Sequence, residues 1–349
     1  MRIALDAMGG DLGPEVVVDG VALGLAENRS VTEVVLVGDR ERVQSALDRV
    51  QCRDSRIRIV HATEVLTMDD NPLTAVRKKK DSSMARAINL VEDSECDAVI
   101  SPGNTGALVA TASFKLRRIE GVERPAIATV IPTSSSNFVL LDGGATPECK
   151  AIHLLQFAIM GTVYAREVLG KKQPRVGLLS NGSEEMKGTD VTRAALKLCK
   201  EADLNFIGYV EGHDLFAEHV DVVVADGFVG NIVLKTIESM GTGFKGLLKN
   251  ALTANPLRQL GALLAKGAFQ ELKQKMDPEE HGGAPLLGLN GTVIKVHGSA
   301  RKQMFKNAIR QTASAVQHKI TEQIERAIGV ANERAAHLPE ATPAGGQAS

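Results

Sequence analysis

The chain has 349 residues, 44% of them hydrophobic, enough for one large α/β domain or two lobes. A formal charge of −1, no Trp and only two Tyr argue against a nucleic-acid surface and a Trp/Tyr membrane belt. The four cysteines Cys52, Cys96, Cys149 and Cys199 form no Cys-x-x-Cys pair, so they read as reduced thiols of a cytoplasmic protein, not a zinc cluster.

The N-terminus turns acidic at Asp6 after the short apolar run Ile3-Ala-Leu5, which predicts a first strand over Arg2–Asp6 and no signal-peptide core. Asp6-Ala-Met-Gly-Gly-Asp11 follows, and here Gly9 and Gly10 either let backbone approach a ligand or form a plain turn before a helix at Pro14–Glu27. A strand over Glu33–Val37, a helix over Arg40–Val50 and a strand over Ile57–Val60 come next. Arg77-Lys-Lys-Lys-Asp-Ser-Ser83 then joins a basic run to the cap of a helix at Ser82–Glu92. Beyond a strand at Ala98–Ser101, the loop Ser101-Pro-Gly-Asn-Thr-Gly106 opens a helix over Thr105–Leu116. Asn104 and Thr105 serve there either as a helix cap or as part of an anion cradle at the positive end of the dipole. Lys115, Arg117, Arg118 and Arg124 form a second basic cluster, and in a neutral chain the two clusters point to an acidic macromolecular partner.

Strands over Ile127–Ile131 and Phe138–Leu141 are close enough for an antiparallel hairpin, which predicts a mixed sheet. The second ends at Leu141-Asp-Gly-Gly-Ala-Thr146, followed by a helix over Glu148–Leu169 and a strand over Arg175–Leu179. Gly182-Ser-Glu-Glu-Met-Lys-Gly-Thr189 is not a Walker A loop, because Lys187 precedes Gly188, and no G-x-G-x-x-G occurs, so ATPase and dinucleotide readings lose their support. Lys187 is left as a cation for phosphate or as a solvated helix-start lysine. A helix at Thr189–Glu201 and strands at Phe206–Val210 and Val222–Ala225 lead to Asp226-Gly-Phe-Val-Gly-Asn231, where Gly230 and Asn231 could repeat the cradle. The stretch 227–275 is helical in period and interrupted near Asn255-Pro256, which predicts a helical hairpin at about 238–276. A glycine-rich loop at 282–288, a strand at Val293–Val296, His297-Gly-Ser299 and a helix at Arg301–Ala327 complete the body. His297 either faces the cleft or is structural. Residues 334–349 are Pro/Gly/Ala-rich, as expected of a disordered tail. The continuous Val/Ile/Leu strands between helices predict a mostly parallel sheet covered on both faces, and no apolar window reaches membrane-spanning length.

In this order, DAMGGD at 6–11, RKKKDSSM at 77–84, GNTGA at 103–107, EEMKGT at 184–189, DGFVGN at 226–231, GGAPLLG at 282–288 and HGS at 297–299 resemble the bacterial acyl-carrier-protein:phosphate acyltransferase family. The likeness runs from Met1 to about Ile328. The chain departs from that pattern at Thr146, where Asn is expected, at Ala300-Arg301, where Ser-Asn is common, and at Pro102, where alanine is usual.

The resemblance implies an α/β fold: a three-layer α/β/α sandwich with a mixed sheet, similar to isopropylmalate dehydrogenases and phosphate acetyltransferases, with the helical hairpin as an extension. Residues 1–333 would form a single two-lobed catalytic domain, assembled as a homodimer. It also implies transfer of a long acyl chain from acyl carrier protein to orthophosphate with no cofactor and no metal. The acyl phosphate would then serve a membrane enzyme that acylates glycerol 3-phosphate. Gly9, Gly10, Asn104, Thr105, Gly106, Gly230 and Asn231 are expected to hold phosphate, with Lys187 as counter-charge and His297 or Asn181 donating to the oxyanion or protonating the thiolate. Lys115, Arg117, Arg118 and Arg124 are expected to meet the carrier protein. Leu257, Leu260, Leu263 and Leu264 would rest on the inner face of the cell membrane or, with the first helix of the hairpin, cover a dimer partner. Two alternatives stay open: an acetyltransferase-like or dehydrogenase enzyme on the same scaffold, using acyl-CoA in the former case, and a non-catalytic acyl- or phosphate-binding regulator.

Overall fold

The computed structural model describes residues 1–67, 69–275, 280 and 282–336. In chain order it begins β1 (Arg2–Asp6), α1 (Pro14–Glu27), β2 (Glu33–Gly38), α2 (Arg40–Arg49), β3 (Ile57–His61), α3 (Pro72–Lys78), α4 (Ser83–Glu92), β4 (Ala98–Ser101) and α5 (Thr105–Lys115). The middle comprises β5 (Ala126–Ile127), β6 (Thr129–Pro132), β7 (Asn137–Leu141), α6 (Ala151–Glu167), β8 (Val176–Leu179), α7 (Asp190–Glu201), β9 (Phe206–Val210) and β10 (Val222–Val224). It ends α8 (Gly227–Thr253), α9 (Pro256–Leu264), α10 (Lys266–Lys275), β11 (Ala284–Leu287), β12 (Thr292–Lys295), α11 (Lys302–Gln317) and α12 (Ile320–Ala336).

The strands form two sheets, one in the order β3-β2-β1-β4-β12-β11-β5 and the other β6-β7-β10-β8-β9. In the first, β3, β2, β1, β4 and β12 are parallel, and β11 is antiparallel to both β12 and β5. In the second, only β6 runs against its neighbour. Alternation along each strand sends successive side chains to opposite helical layers. Ile3 and Leu5 pack with Val17, Val21 and Phe305 of α1 and α11, whereas Ala4 and Val35 pack with Ile88 and Leu108 of α4 and α5. In the second sheet, Val222 and Val224 face Phe157 and Met160 of α6, while Val223 and Leu140 face Leu215, with Val233 and Ile237 of α8 packed alongside. Both strand faces are covered, and that is why these strands lack polar alternation.

The structure corrects several expectations. The apolar run 127–131 is two strands in different sheets, with Ala128 between them. The single mixed sheet is therefore two mixed sheets. An uninterrupted apolar run carries no mark of where a chain changes sheet. The turn residues Gly282, Gly283 and Pro285 predict a loop at 282–288, yet β11 forms there and pairs on both sides. The helix expected over 301–327 breaks into α11 and α12 at His318-Lys319, where Lys319 takes a left-handed φ of 51°. The expected hairpin is one 27-residue helix, α8, followed by two short ones, α9 and α10. Of the tail expected over 334–349, residues 334–336 instead belong to α12, and 337–349 lie outside the described residues.

Candidate active site

Parallel strands release their loops on one edge, and ligands of open α/β sheets bind outside that carboxyl edge. In the first sheet, β1, β4 and β12 are adjacent, with Leu5 beside Ile100 and Ser101 beside Lys295. Asp6 is fully buried at this edge, and its carboxylate joins two loops. One oxygen accepts from the N–H groups of Met8 (3.2 Å) and Gly9 (3.1 Å), and the other from the Ser101 hydroxyl (2.7 Å). Ser101 Oγ in turn accepts from Gly103 N–H at 3.1 Å. Asp6 is thus an organiser of backbone, and its oxygens are committed to that task. Gly9 permits the loops to touch, since a Cβ there would lie 2.9 Å from the Gly103 backbone. The loop after β12 joins them through Asp11 N–H donating to Gly298 O at 2.8 Å.

Asn104 caps α5, its side-chain oxygen accepting from Ala107 N–H at 2.9 Å. The cap reading is therefore correct, and it leaves Thr105 and Gly106 at the open first turn, where backbone N–H groups have no intrahelical acceptor. Among the described residues, the Gly10 N–H also makes no hydrogen bond. Gly10, Thr105 and Gly106 thus offer backbone donors at the positive end of a helix dipole.

The second sheet supplies the loops after β7, β8 and β10. Asp142 is fully buried, and its carboxylate accepts from Ile127, Gly144, Ala145 and Thr146 N–H groups at 2.6–3.0 Å. Burial pushes its carboxyl up from the usual range against the pull of those donors. α8 is seated on this loop: Asp226 caps it through Val229 N–H (2.8 Å), and a Cβ on Gly230 would overlap the Asp142 carbonyl oxygen. Gly230 N–H donates to Asp226 O at 2.8 Å, so this glycine allows close approach rather than offering a free donor. Asn231, next in the helix, is exposed and lies beside Gly144. Asn181 and Lys187 are exposed in the loop after β8, where the Asn181 side chain accepts from Gly188 N–H at 3.0 Å. Among the described residues, no hydrogen bond or ion pair ties the Lys187 ammonium.

α8 starts at the second sheet and runs toward the first, where Lys235 acts electrostatically on Lys295 and His297. Lys295 was missed in the sequence. A cation ending the apolar run Thr292–Lys295, two residues before His297, was its only signal. Its Nζ donates to the carbonyls of Pro102 (3.2 Å) and Val296. Burial lowers its pKa to about 8, Asp6 and Asp11 oppose that shift, and Lys235 adds to it. His297 Nδ1 accepts from Ser299 N–H at 3.2 Å and lies 2.8 Å from Ser299 Oγ. The backbone donor assigns the neutral tautomer with its proton on Nε2. Desolvation, then Lys235, lowers the His297 pKa, which favours that neutral form.

The three departures from the family pattern have structural places. Thr146 donates from its hydroxyl to Pro125 O (2.9 Å), Ala300 is buried in the core with Phe305, and Pro102 presents the carbonyl that Lys295 grips. One member of the basic run is structural, while Arg77, Lys78 and Lys80 are exposed. Lys79 pairs with Asp70 at 2.6 Å, while Asp81 accepts from Thr63 and Arg86 and is thereby lowered to about 2.

Beyond α5 lies an open cavity of about 910 Å³ bounded by Arg117, Arg118 and Arg124 and by the loop Ala145–Glu148. Lys115, the fourth member of that cluster, pairs instead with Glu92 at 3.6 Å. Leu257, Leu260, Leu263 and Leu264 of α9 are 55–82% exposed. Among the described residues, no helix is long and apolar enough to cross a membrane, and no His/Cys/Asp/Glu group is placed to hold a metal. Cys149, whose Sγ lies 3.5 Å from Thr146 O, is pushed by burial up to about 12 and is a thiol near neutrality.

A family model described as fatty acid synthesis protein matches residues 1–323. A phosphate acyltransferase from Syntrophotalea carbinolica is 47% identical, covering 95% of this chain and 94% of its own length. One from Desulfitobacterium hafniense is 48% identical over 93% of this chain and 97% of its own. Among solved structures, a phosphotransacetylase from Streptococcus pyogenes aligns with a TM-score of 0.60 at 19% identity, covering 91% of this chain and 94% of that one. A phosphotransacetylase from Staphylococcus aureus gives 0.59 at 16%, covering 90% and 94%. These two are likenesses of fold.

Proposed function

The chain belongs to the fatty acid synthesis protein family that includes the phosphate acyltransferases, and from that premise we propose how its two strand edges carry out acyl transfer to phosphate. The donor is a long-chain thioester of acyl carrier protein, the acceptor is orthophosphate, and the product is an acyl phosphate for phospholipid synthesis. One observation supports the site assignment: the Gly10 N–H and the first turn of α5 lie unpaired at the carboxyl edge that Lys295 and His297 also occupy, and Lys235 of α8 reaches that edge from the second sheet.

Phosphate sits at the start of α5, held by N–H groups of Gly10, Thr105 and Gly106 and facing Asn231. Lys187 closes over it from the second sheet. Lys295 stiffens the loop through Pro102 O and adds a second positive charge. As the dianion, phosphate attacks the thioester carbonyl carbon, one P–O oxygen bonding to carbon while the C–S bond breaks. Its remaining proton ends on the departing sulfur, so hydrogen phosphate and thioester give acyl phosphate and free thiol with no other reactant. Near pH 7 phosphate carries about −1.5 to −2, by analogy with a monoester, and the thiol, with a pKa of about 8.5, leaves readily. His297 donates from Nε2 to the oxyanion, with Asn181 as the alternative donor. Alignment of phosphate with the carbonyl is worth ~7–11 kcal/mol, and one oxyanion donor about 3–4 kcal/mol. Positioning is thus the larger contribution, which agrees with a site built mostly of backbone.

The carrier docks on the basic rim of the cavity, chiefly Arg117, Arg118 and Arg124. Residues 1–333 act as one catalytic unit in a cytoplasmic homodimer whose partner covers part of exposed α8, where Met240, Phe244 and Leu247 are 54–71% exposed. The leucines of α9 contact the membrane surface, near the enzyme that takes the acyl phosphate on to glycerol 3-phosphate. The test is phosphate-dependent release of thiol from palmitoyl-carrier protein, with palmitoyl-CoA in parallel. Release from the carrier thioester with formation of acyl phosphate is expected. Turnover of CoA alone would move the chain to the acetyltransferase-like reading, and binding without turnover would make it a regulator.

A further inference from the structure

The cavity beyond α5 has a shape and charge that specify more than a docking patch. Val109 and Ser113, four residues apart, line it along one side of α5, and Arg117 lines it just past the end of that helix. The facing wall includes Ala145 and Thr146. At the inner end, Gly144 adjoins Ala145, and a Cβ on Gly144 would lie 3.3 Å from that of Asn231. The groove therefore begins near Asn231, one helical turn beyond the start of α5 at Val109, and runs toward the C-terminal end of α5. There Arg117 turns the chain with a left-handed φ of 59°, and Arg118 and Arg124 stand beside it. Arg118 donates to the Glu123 carbonyl at 2.6 Å. Among the described residues, none of these three guanidinium groups has a carboxylate partner, and all three residues are exposed.

We infer that this groove receives the phosphopantetheine arm of the thioester donor, with its phosphodiester on Arg117 and Arg124 and its sulfur at Asn231. This rests on the acyl-transfer reading above and adds to it a site for the donor. Length supports the assignment. From Thr105 to Lys115 the helix rises about 15 Å at 1.5 Å per residue. A phosphopantetheine arm has about thirteen bonds from phosphorus to sulfur, and an extended chain gains about 1.2 Å per bond, again about 15 Å. Chemistry agrees along the same line: an anion at one end, an amide-bearing chain between, and a thioester at the other. The wall offers Val109 and Pro125 to the methyl-bearing carbons, and Ser113 and Thr146 near the amides. Glu148 at the wall disfavours a second anion inside the groove, so the phosphodiester stays on the arginine rim.

The test compares palmitoyl-carrier protein, palmitoyl-4′-phosphopantetheine and palmitoyl-pantetheine as donors. The native chain should use the phosphorylated arm about tenfold or more better, in kcat/KM, than the arm lacking phosphate, as expected for a charge-assisted contact. In an Arg117→Ala/Arg124→Ala variant that ratio should collapse toward one. Ser113→Trp, which fills the groove, should raise the KM of all three donors while the KM for orthophosphate holds. Native protein that does not distinguish the two arms, a ratio unchanged by the arginine variant, or no effect of Ser113→Trp overturns the inference. Turnover of the free phosphorylated arm but not of the carrier thioester would refute the carrier reading while leaving the groove assignment in place. No turnover of any donor overturns both.

Discussion

Lys295 ends β12 of the first sheet and Lys187 lies in the loop after β8 of the second, in different solvation. Lys295 is held on two backbone carbonyls with its pKa lowered to about 8, first by burial and then by Lys235, against Asp6 and Asp11. It is mostly cationic at pH 7 and loses its charge as pH rises through that value. kcat/KM for phosphate should therefore fall on the alkaline side with an apparent pKa near 8. Lys295→Arg should move that limb to higher pH, and Lys295→Met should abolish it at a low rate. An unchanged alkaline limb in Lys295→Arg would remove Lys295 from this role. Lys187 is exposed, and in the counter-charge role proposed for it Lys187→Ala should raise the phosphate KM about tenfold or more with a smaller change in kcat. An unchanged phosphate KM would remove it. The sequence singled out Lys187 through its glycine-rich loop. Lys295 had no such marker, because its proximity to Pro102, 193 residues away, depends on β12 pairing beside β4, which the sequence does not display.

Element boundaries were readable where caps and turn residues fix them. Pro14 starts α1, Ser82 caps α4 by accepting from Ala85 N–H, and Asn104 caps α5, so all three helices begin within a residue of their expected positions. Asp226 and Gly230 were legible as a loop motif, but their reason was not. Gly230 looked like an anion donor and is instead the point where α8 rests on Asp142 O. In an open helix Gly→Ala would stabilise by about 1 kcal/mol. Here the added methyl meets a backbone carbonyl that cannot rotate away, and overpacking of this kind costs about 1–3 kcal/mol. Gly230→Ala should lower the melting temperature and, by displacing Asn231, lower kcat as well. A variant more stable than the native chain and fully active would contradict that placement. At α9, Leu260→Glu with Leu264→Glu should abolish co-sedimentation with anionic liposomes while leaving thiol release from a soluble donor intact. Unchanged co-sedimentation would exclude these leucines as the contact.

On the scale of the molecule, the proposed site depends on the carboxyl edges of two sheets, with α8 starting at one and bringing Lys235 to the other. The sequence displayed the loops and their order, since each follows an apolar strand-length run. It did not display the division into two sheets, because Ala128 looks like any other position in an apolar segment. Nor did it display the groove along α5, whose walls come from residues 109–125 and 145–148 and meet only in the fold. In the proposed reaction phosphate attacks the thioester directly, with no acyl group passing through the protein. Cys149, the thiol beside the 142–146 loop, is held protonated with a pKa of about 12, so it is poorly suited to act as a nucleophile. The most direct measurement is a single-turnover reaction of palmitoyl-carrier protein with the full chain, with and without orthophosphate, followed by thiol release and intact protein mass. The account predicts no thiol and no acylated chain until phosphate is added, then stoichiometric acyl phosphate. A burst of thiol without phosphate, accompanied by a palmitoylated chain, would contradict it.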